Sequence, residues 1–355
     1  MTARVPIAVV GASGYTGAEL VRLCAGHPRL ELAVVCGERS AGSRIEHVFP
    51  HLAGRVSMEL EPFDAARVAS RAEVVFCALP HGQSAAAAAE MVGRGRLVID
   101  LSADFRLRDP GAYAEWYGPH PHPRPDLLEG AVYGLPELHR DELRAVKGGA
   151  RIVAAPGCYP TAAILAVAPL LRRGLLADRS LVVDAKSGVS GAGRSPGLAT
   201  HFPEVGEGVR AYKVSGQHRH TPEMEQEMSA AAGRPQVVTF TPQLVPMSRG
   251  ILACVYGEPR DPSIGEAELR GAMVDFYRDE PFVTVVEGGL PDTSHVRGTN
   301  RAHVGVHLDR RAGRVLAMAA IDNLGKGAAG QAIQCLNLAC GFEETDGLRG
   351  VAAFP

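Results

Sequence analysis

Cys158 lies in Ile152-Val153-Ala154-Ala155-Pro156-Gly157-Cys158-Tyr159-Pro160-Thr161, which reads as a short strand, a Pro-Gly turn and the start of a helix through the apolar run 162–171. Pro160 suits the first helical turn, where a backbone N–H has no intrahelical acceptor. A cysteine at that end meets the positive pole of the helix dipole, where unpaired N–H groups favour thiolate and can hold an oxyanion. Most free cysteines are buried structural residues. A turn between strand and helix exposes its side chain instead, which makes Cys158 a candidate nucleophile. A second reactive group follows in Tyr212-Lys213-Val214-Ser215-Gly216-Gln217-His218-Arg219-His220-Thr221-Pro222-Glu223, where Thr221 and Pro222 fit the cap and first turn of a helix. His218 and His220 with Glu223 could bind a metal, but no third strong ligand accompanies them, so no metal is expected. A general acid/base is the better use, with Glu223 or a backbone carbonyl orienting one imidazole.

The elements that must position these groups begin at the N-terminus. The apolar run 6–10 ends in Gly11-Ala12-Ser13-Gly14-Tyr15-Thr16-Gly17, and helical spacing follows. Strand, glycine turn and helix form the context of a dinucleotide-binding loop, in which glycine lets the backbone approach a pyrophosphate and the helix N-terminus supplies N–H donors. The spacing is G-x-x-G-x-x-G rather than the commoner G-x-G-x-x-G. After the second strand, 32–36, a carboxylate at the strand end would hold the ribose of NAD, but Cys36 and Gly37 stand there. Arg39 and Ser40 can instead meet a 2′-phosphate, which leans to NADP(H); Glu38 keeps NAD open should the strand end later.

Further strand–helix units follow, with His81 and Arg106 just beyond strand ends. His81 is either a solvent-facing loop residue or a cofactor contact. Arg106 offers the planar cation that a phosphorylated substrate requires. Residues 107–150 are proline-rich with little periodicity and hold Trp116, the reading being a long functional or interface loop. Alternating strands dominate from 237 onward, interrupted by a helix near 263–277 and closed by a helix at 328–340. The expected fold is α/β: a Rossmann-type doubly wound parallel sheet, residues 1–153 plus 325–355, and an α+β domain with mixed or antiparallel sheet, residues 154–324.

A net charge of −2 recommends neither nucleic acid nor an anionic membrane as a partner. Seven cysteines without paired spacing fit a reduced, cytoplasmic protein, and a strand beginning at residue 6 leaves no room for a signal peptide.

With the glycine turn, Gly157-Cys158-Tyr159-Pro160-Thr161, Gln217-His218-Arg219-His220-Thr221-Pro222-Glu223 and Asp322-Asn323-Leu324-Gly325-Lys326-Gly327 in place, the chain resembles the N-acetyl-γ-glutamyl-phosphate reductases from end to end. The Gly-Cys-Tyr-Pro-Thr segment is the most specific part. The resemblance implies NADPH-dependent reduction of an acyl phosphate in arginine biosynthesis by a homodimer or homotetramer. It implies Cys158 as nucleophile, His218 as acid/base and Glu223 as the group orienting that histidine. The pyrophosphate loop would be Gly11, Ser13, Gly14 and Thr16 with Tyr15 and Gly17, and Ser187, Gly188 and Asn323 would face the nicotinamide. Tyr212 and His220 join Arg106 as candidates for holding substrate. Thiolate attack would expel phosphate and leave a thioester, with protonated His218 and helix N–H groups stabilising the oxyanion. An aminoadipyl-phosphate reductase serving a carrier protein, a nucleotide-sensing regulator and a cysteine hydrolase or acyltransferase remain alternatives at this point.

Overall fold

The strand and glycine-turn pattern of the N-terminal half folds into six strands: β1 (Val5–Val10), β2 (Leu30–Cys36), β3 (Val74–Cys77), β4 (Leu97–Asp100), β5 (Val132–Tyr133) and β6 (Ile152–Ala154). The computed structural model describes residues 4–118, 125–178 and 181–354. Every pairing in this sheet is parallel, and the strand order is β2-β1-β3-β4-β6-β5. β3 and β4 are buried at every position, as strands covered on both faces must be. The order reverses between β1 and β3, so the glycine turn after β1 stands at the switch point, where such sheets bind ligands.

The unit comprises Met1–Pro156 and Ala328–Gly350, and the second comprises Gly157–Gly327 and Val351–Pro355. Residues 351–355, assigned from sequence to the first domain, thus cluster with the second, and the chain passes between units after Pro156 rather than at 153.

The stretch 107–150 corrects the expectation of an irregular loop. It holds helices Pro110–Tyr117, Pro125–Glu129 and Pro136–Ala145 and the edge strand β5. Pro110, Pro125 and Pro136 open these helices; Pro110 and Pro136 occupy first turns, where a missing N–H costs nothing, and Asp109 caps the first helix by accepting the Gly111 N–H at 2.8 Å. Trp116 lies on the Pro110–Tyr117 helix, and residues 119–124 fall outside the described residues.

The second unit is a seven-stranded mixed sheet: β7 (Leu181–Gly188), β8 (Arg210–Ala211), β9 (Val238–Val245), β10 (Ile251–Gly257), β11 (Val283–Val285), β12 (Ala302–Asp309) and β13 (Arg314–Ile321), in the order β11-β12-β13-β10-β7-β9-β8. Helices Cys158–Arg172, Thr221–Ala232 and Glu266–Tyr277 pack on it, the first against β10, β12 and β13. Residues Tyr159 to Leu171 of that helix are all buried, which is why its sequence is apolar all round rather than striped.

Pro169 sits inside this helix and cannot donate to the Leu165 carbonyl one turn back. The Tyr277 hydroxyl, from a neighbouring helix, donates to that carbonyl at 2.6 Å. Tyr277→Phe is expected to leave a buried acceptor unsatisfied and lower the unfolding free energy by about 1–3 kcal/mol in urea titration. An unchanged midpoint would show that the carbonyl finds another donor.

Candidate active site

The pocket chemistry is assembled at the start of the Cys158–Arg172 helix. Cys158 is its first residue, half-buried, and Gly157 caps it in an extended conformation (φ −67°, ψ 152°) without a side-chain hydrogen bond. The turn is held from two sides. Glu223, only 1% exposed, accepts the Gly157 N–H at 2.8 Å. From the 322–327 loop, Gly327 lies so close that a Cβ there would stand 2.9 Å from the Cys158 Cβ. Glu223 was expected to orient a histidine; this bond has its carboxylate anchoring the backbone immediately before the cysteine.

Both histidines come to the same place. His220 is the N-cap of the Thr221–Ala232 helix, a role the sequence reading gave to Thr221. Its Nε2 would be 2.6 Å from a Cβ on Gly157, so the ring lies against the cysteine turn. His218 sits in an aromatic enclosure, its ring centroid 5.6 Å from Tyr159, 5.5 Å from Tyr212, 5.1 Å from Phe240 and 4.9 Å from His220. The His220 backbone N–H donates to its Nδ1 at 3.1 Å, which places the proton of the neutral ring on Nε2. Burial, then the Lys213 and Arg219 charges, pull the His218 pKa down to about 4. The expected protonated His218 is therefore corrected to a neutral Nε2–H donor at neutral pH.

Tyr212 donates to the Tyr159 hydroxyl at 3.1 Å, and Tyr159 donates to the Gln243 carbonyl at 3.2 Å. Burial pushes the Tyr212 pKa up to about 12, and the charge of the nearby Cys158 pushes the same way. The segment leading to His218 carries left-handed backbone at two non-glycine positions, Lys213 (φ 44°) and Ser215 (φ 58°), strain of a kind that collects at functional sites. Among the described residues no group of three or more His, Cys, Asp or Glu side chains is placed to hold a metal ion.

Ser187 and Asn323 are 1% and 2% exposed. Asn323 accepts the Gly250 N–H at 2.8 Å and donates to the Ser190 hydroxyl at 2.9 Å, so both ends of its amide bind within the unit. Gly188 belongs to β7, and a Cβ there would be 2.8 Å from the Ser248 carbonyl. Sequence reading missed the group that ties these segments together, Arg249 with Asp322. Its one visible signal was an Arg-Gly pair opening a strand.

In the first unit the glycine turn has the form a dinucleotide requires. Gly11 has φ +90°, and a Cβ would stand 2.3 Å from the Ala78 carbonyl; at Gly17 it would stand 2.2 Å from the Gly11 carbonyl. Gly11 and Ala12 both donate N–H to the Cys36 carbonyl, at 3.0 and 2.7 Å. Gly14, Tyr15 and Thr16 open the Tyr15–Ala25 helix, whose cap makes no side-chain hydrogen bond, and Ser13 packs where a Gly37 side chain would be. Glu38, the residue that kept NAD open, accepts the Phe63 N–H at 2.9 Å; Arg39 beside it is exposed and Ser40 half-buried. His81 is exposed, with Nδ1 accepting the Ala103 N–H at 3.0 Å. Arg106 is 5% exposed and donates to the carbonyls of Ala155 at 2.8 Å and Leu101 at 2.7 Å. At least part of its guanidinium thus ties down the strand end that leads to Cys158.

Models described as semialdehyde dehydrogenase, NAD binding domain and semialdehyde dehydrogenase, dimerisation domain match residues 6–146 and 158–323. The aspartate semialdehyde dehydrogenase II of Vibrio cholerae, solved with ASA, superposes with TM-score 0.71 at 18% identity, covering 95% of this chain and 98% of that one. A probable aspartate-semialdehyde dehydrogenase from Pseudomonas aeruginosa gives 0.68 at 22% identity, covering 94% and 98%. At these identities the likeness is one of fold. In sequence the chain is 49% identical over 350 residues to the N-acetyl-gamma-glutamyl-phosphate reductase of Pelobacter propionicus, covering 98% of this chain and 99% of that protein. It is also 49% identical over 352 residues to the enzyme of the same name from Pelotomaculum thermopropionicum, covering 99% of each. The chain belongs to the N-acetyl-gamma-glutamyl-phosphate reductase family.

Gly327→Ala is expected to displace Cys158 and change its rate of alkylation by iodoacetamide, read by peptide mass, by about threefold or more, as sub-ångström shifts at reacting atoms do. An unaltered rate would mean the contact does not constrain the thiol.

Proposed function

We propose that this chain reduces N-acetyl-γ-glutamyl phosphate to N-acetylglutamate semialdehyde with NADPH, the third step of arginine biosynthesis, as a cytoplasmic homodimer or homotetramer. The observation that carries the mechanism is the place of Cys158, half-buried at the first position of a helix buried from Tyr159 to Leu171, with the His220 ring against the Gly157 turn before it and the His218 ring next to that of His220. Whole-length identity of 49% to reductases of that name supports the substrate.

The residues that would hold NADP(H) are Gly11, Ser13, Gly14, Tyr15, Thr16 and Gly17, with Arg39 and Ser40 toward a 2′-phosphate; the turn, packed against backbone at Gly11 and Gly17 and opening the Tyr15–Ala25 helix, fits a pyrophosphate. When bound, the cofactor supplies the hydride that reduces the acyl group. Ser187, Gly188 and Asn323 form a buried framework within the second unit.

The Cys158 thiolate attacks the acyl carbon, a C–S bond forms, and phosphate leaves with the electrons of the C–O bond. The resulting thioester is held in place, so later steps are intramolecular. Pro160 has no N–H and Thr161 donates its own to the Gly157 carbonyl at 2.9 Å, so neither of these residues offers a backbone donor to an oxyanion. His218 acts as a neutral Nε2–H donor to the oxyanions, and His220 and Tyr212 line the substrate side. After reduction the hemithioacetal oxyanion collapses: its electron pair re-forms the carbonyl of the semialdehyde, the C–S bond breaks and sulfur leaves as thiolate. Arg106 holds the Ala155 carbonyl from the strand end before the turn.

The test is phosphate-dependent NADP⁺ reduction with N-acetylglutamate semialdehyde, set against aspartate semialdehyde. The acetylated substrate is expected to be preferred, and Cys158→Ser is expected to retain NADPH binding while kcat falls by about 10³-fold or more. Equal use of both aldehydes would refute the substrate, and near-normal turnover by Cys158→Ser would refute the mechanism.

The histidine makes a pH prediction. Its folded pKa lies below the ordinary 6.5, so the unfolded chain binds that proton more tightly. The associated stability is fully present above 6.5 and is lost as pH falls toward about 4. Unfolding free energy of the wild type should therefore drop more steeply across that window than that of His218→Gln. Parallel curves would contradict the neutral assignment.

A further inference from the structure

Asp322 is fully buried and its carboxylate is the most heavily bonded in the second unit's loop cluster. Arg249 grips it with Nε and Nη2 at 2.9–3.1 Å, and it also accepts the N–H groups of Gly298 at 2.6 Å, Leu324 at 2.8 Å and Gly325 at 2.8 Å. Its own carbonyl accepts the Gly327 N–H at 2.9 Å, which closes the loop into a tight coil. A Cβ on Gly325 would stand 2.1 Å from the Thr299 carbonyl, so the coil has no slack toward residues 298–299. On its other side Gly327 meets Cys158. The next residue, Asn323, bonds to Gly250 and Ser190, so the same coil is tied to the starts of two further segments.

We propose that Asp322, gripped by Arg249, is a positioning residue that fixes the wall behind Cys158 and so sets where the sulfur stands. The proposal rests on the reading of Cys158 as nucleophile. A buried carboxylate is tolerated only when its charge is matched and its lone pairs are filled, and here every donor comes from the segments that build the wall. Releasing one donor lets the coil shift as a body, and Gly327 moves with it. A displacement of about 1 Å at a reacting atom costs on the order of 10²-fold in rate, whereas loss of a remote contact would leave the thiol unaffected.

The full-length Arg249→Lys, Arg249→Met and Asp322→Asn variants test this. Lysine keeps the charge but not the two-pronged grip, methionine keeps only the stem, and asparagine turns one acceptor into a donor facing N–H groups. Each is measured for NADPH affinity, for kcat and KM, and for Cys158 alkylation by iodoacetamide at one pH. The expected result is NADPH affinity within about twofold of wild type, kcat lowered by about tenfold or more, and alkylation changed by about threefold or more, with lysine retaining more activity than methionine. Wild-type kcat and alkylation in both Arg249 variants would overturn the proposal. So would a fall in kcat matched by an equal loss of NADPH affinity, the mark of general loosening. If Asp322→Asn or Arg249→Met does not fold, Arg249→Lys decides the matter, since it keeps a positive charge beside the buried carboxylate. Alkylation needs no substrate, so these outcomes stay separate from turnover by Cys158→Ser, which would instead remove the cysteine from the chemistry.

Discussion

One constraint governs the second unit: a helix buried from Tyr159 to Leu171 whose first residue alone is half open. Burial on all sides fixes the helix axis against the sheet. The direction and depth of its first turn are then set by few contacts, namely the Glu223 carboxylate on the Gly157 N–H and the Gly327 backbone against Cys158. A helix that could slide would blur both. Interior packing does not allow this, because a core at crystal-like density accepts little displacement. The carbonyl that the proline within the helix leaves without an N–H accepts the Tyr277 hydroxyl instead.

The same packing divides the cysteines by reactivity. Burial pushes the Cys36 thiol up to about 12 and Cys340 to about 11, and it raises Cys24 and Cys77 further still. Thiols of that kind are inert at neutral pH. Cys158 differs by its place at a helix N-terminus, where dipole and N–H groups favour an anion. Dryness has the opposite effect on the histidine beside it. The enclosure of Tyr159, Tyr212 and Phe240 keeps His218 neutral and its Nδ1 occupied, which suits a group that gives a hydrogen bond rather than one that carries charge.

Much of this was legible in the sequence where local rules dominate. Strand, glycine turn and helix at residues 5–25 follow from apolar runs and glycines whose Cβ positions are filled by backbone, and the Cys158 turn follows from its Pro-Gly spacing. Strands β7, β9 and β10 were readable because they alternate between buried and more open positions, whereas the two-residue β8 left no such pattern. Residues 107–150 were misread because the stretch shows little periodicity: its helices are short, and three of its prolines open helices rather than mark irregular chain. Protonation of His218 and the partnership of Arg249 with Asp322 were invisible for another reason. Both depend on side chains brought together across tens of residues, and no spacing rule carries that information.

The central claim is that the acyl group passes through the sulfur of residue 158. The most direct measurement is the mass of that residue's peptide after the protein meets N-acetyl-γ-glutamyl phosphate without reduced cofactor, quenched in acid. A thioester-bound N-acetylglutamyl group on Cys158, discharged when NADPH is added, is the predicted result. An unmodified Cys158 in a preparation that still turns over, or an acyl group found on another side chain, would contradict it.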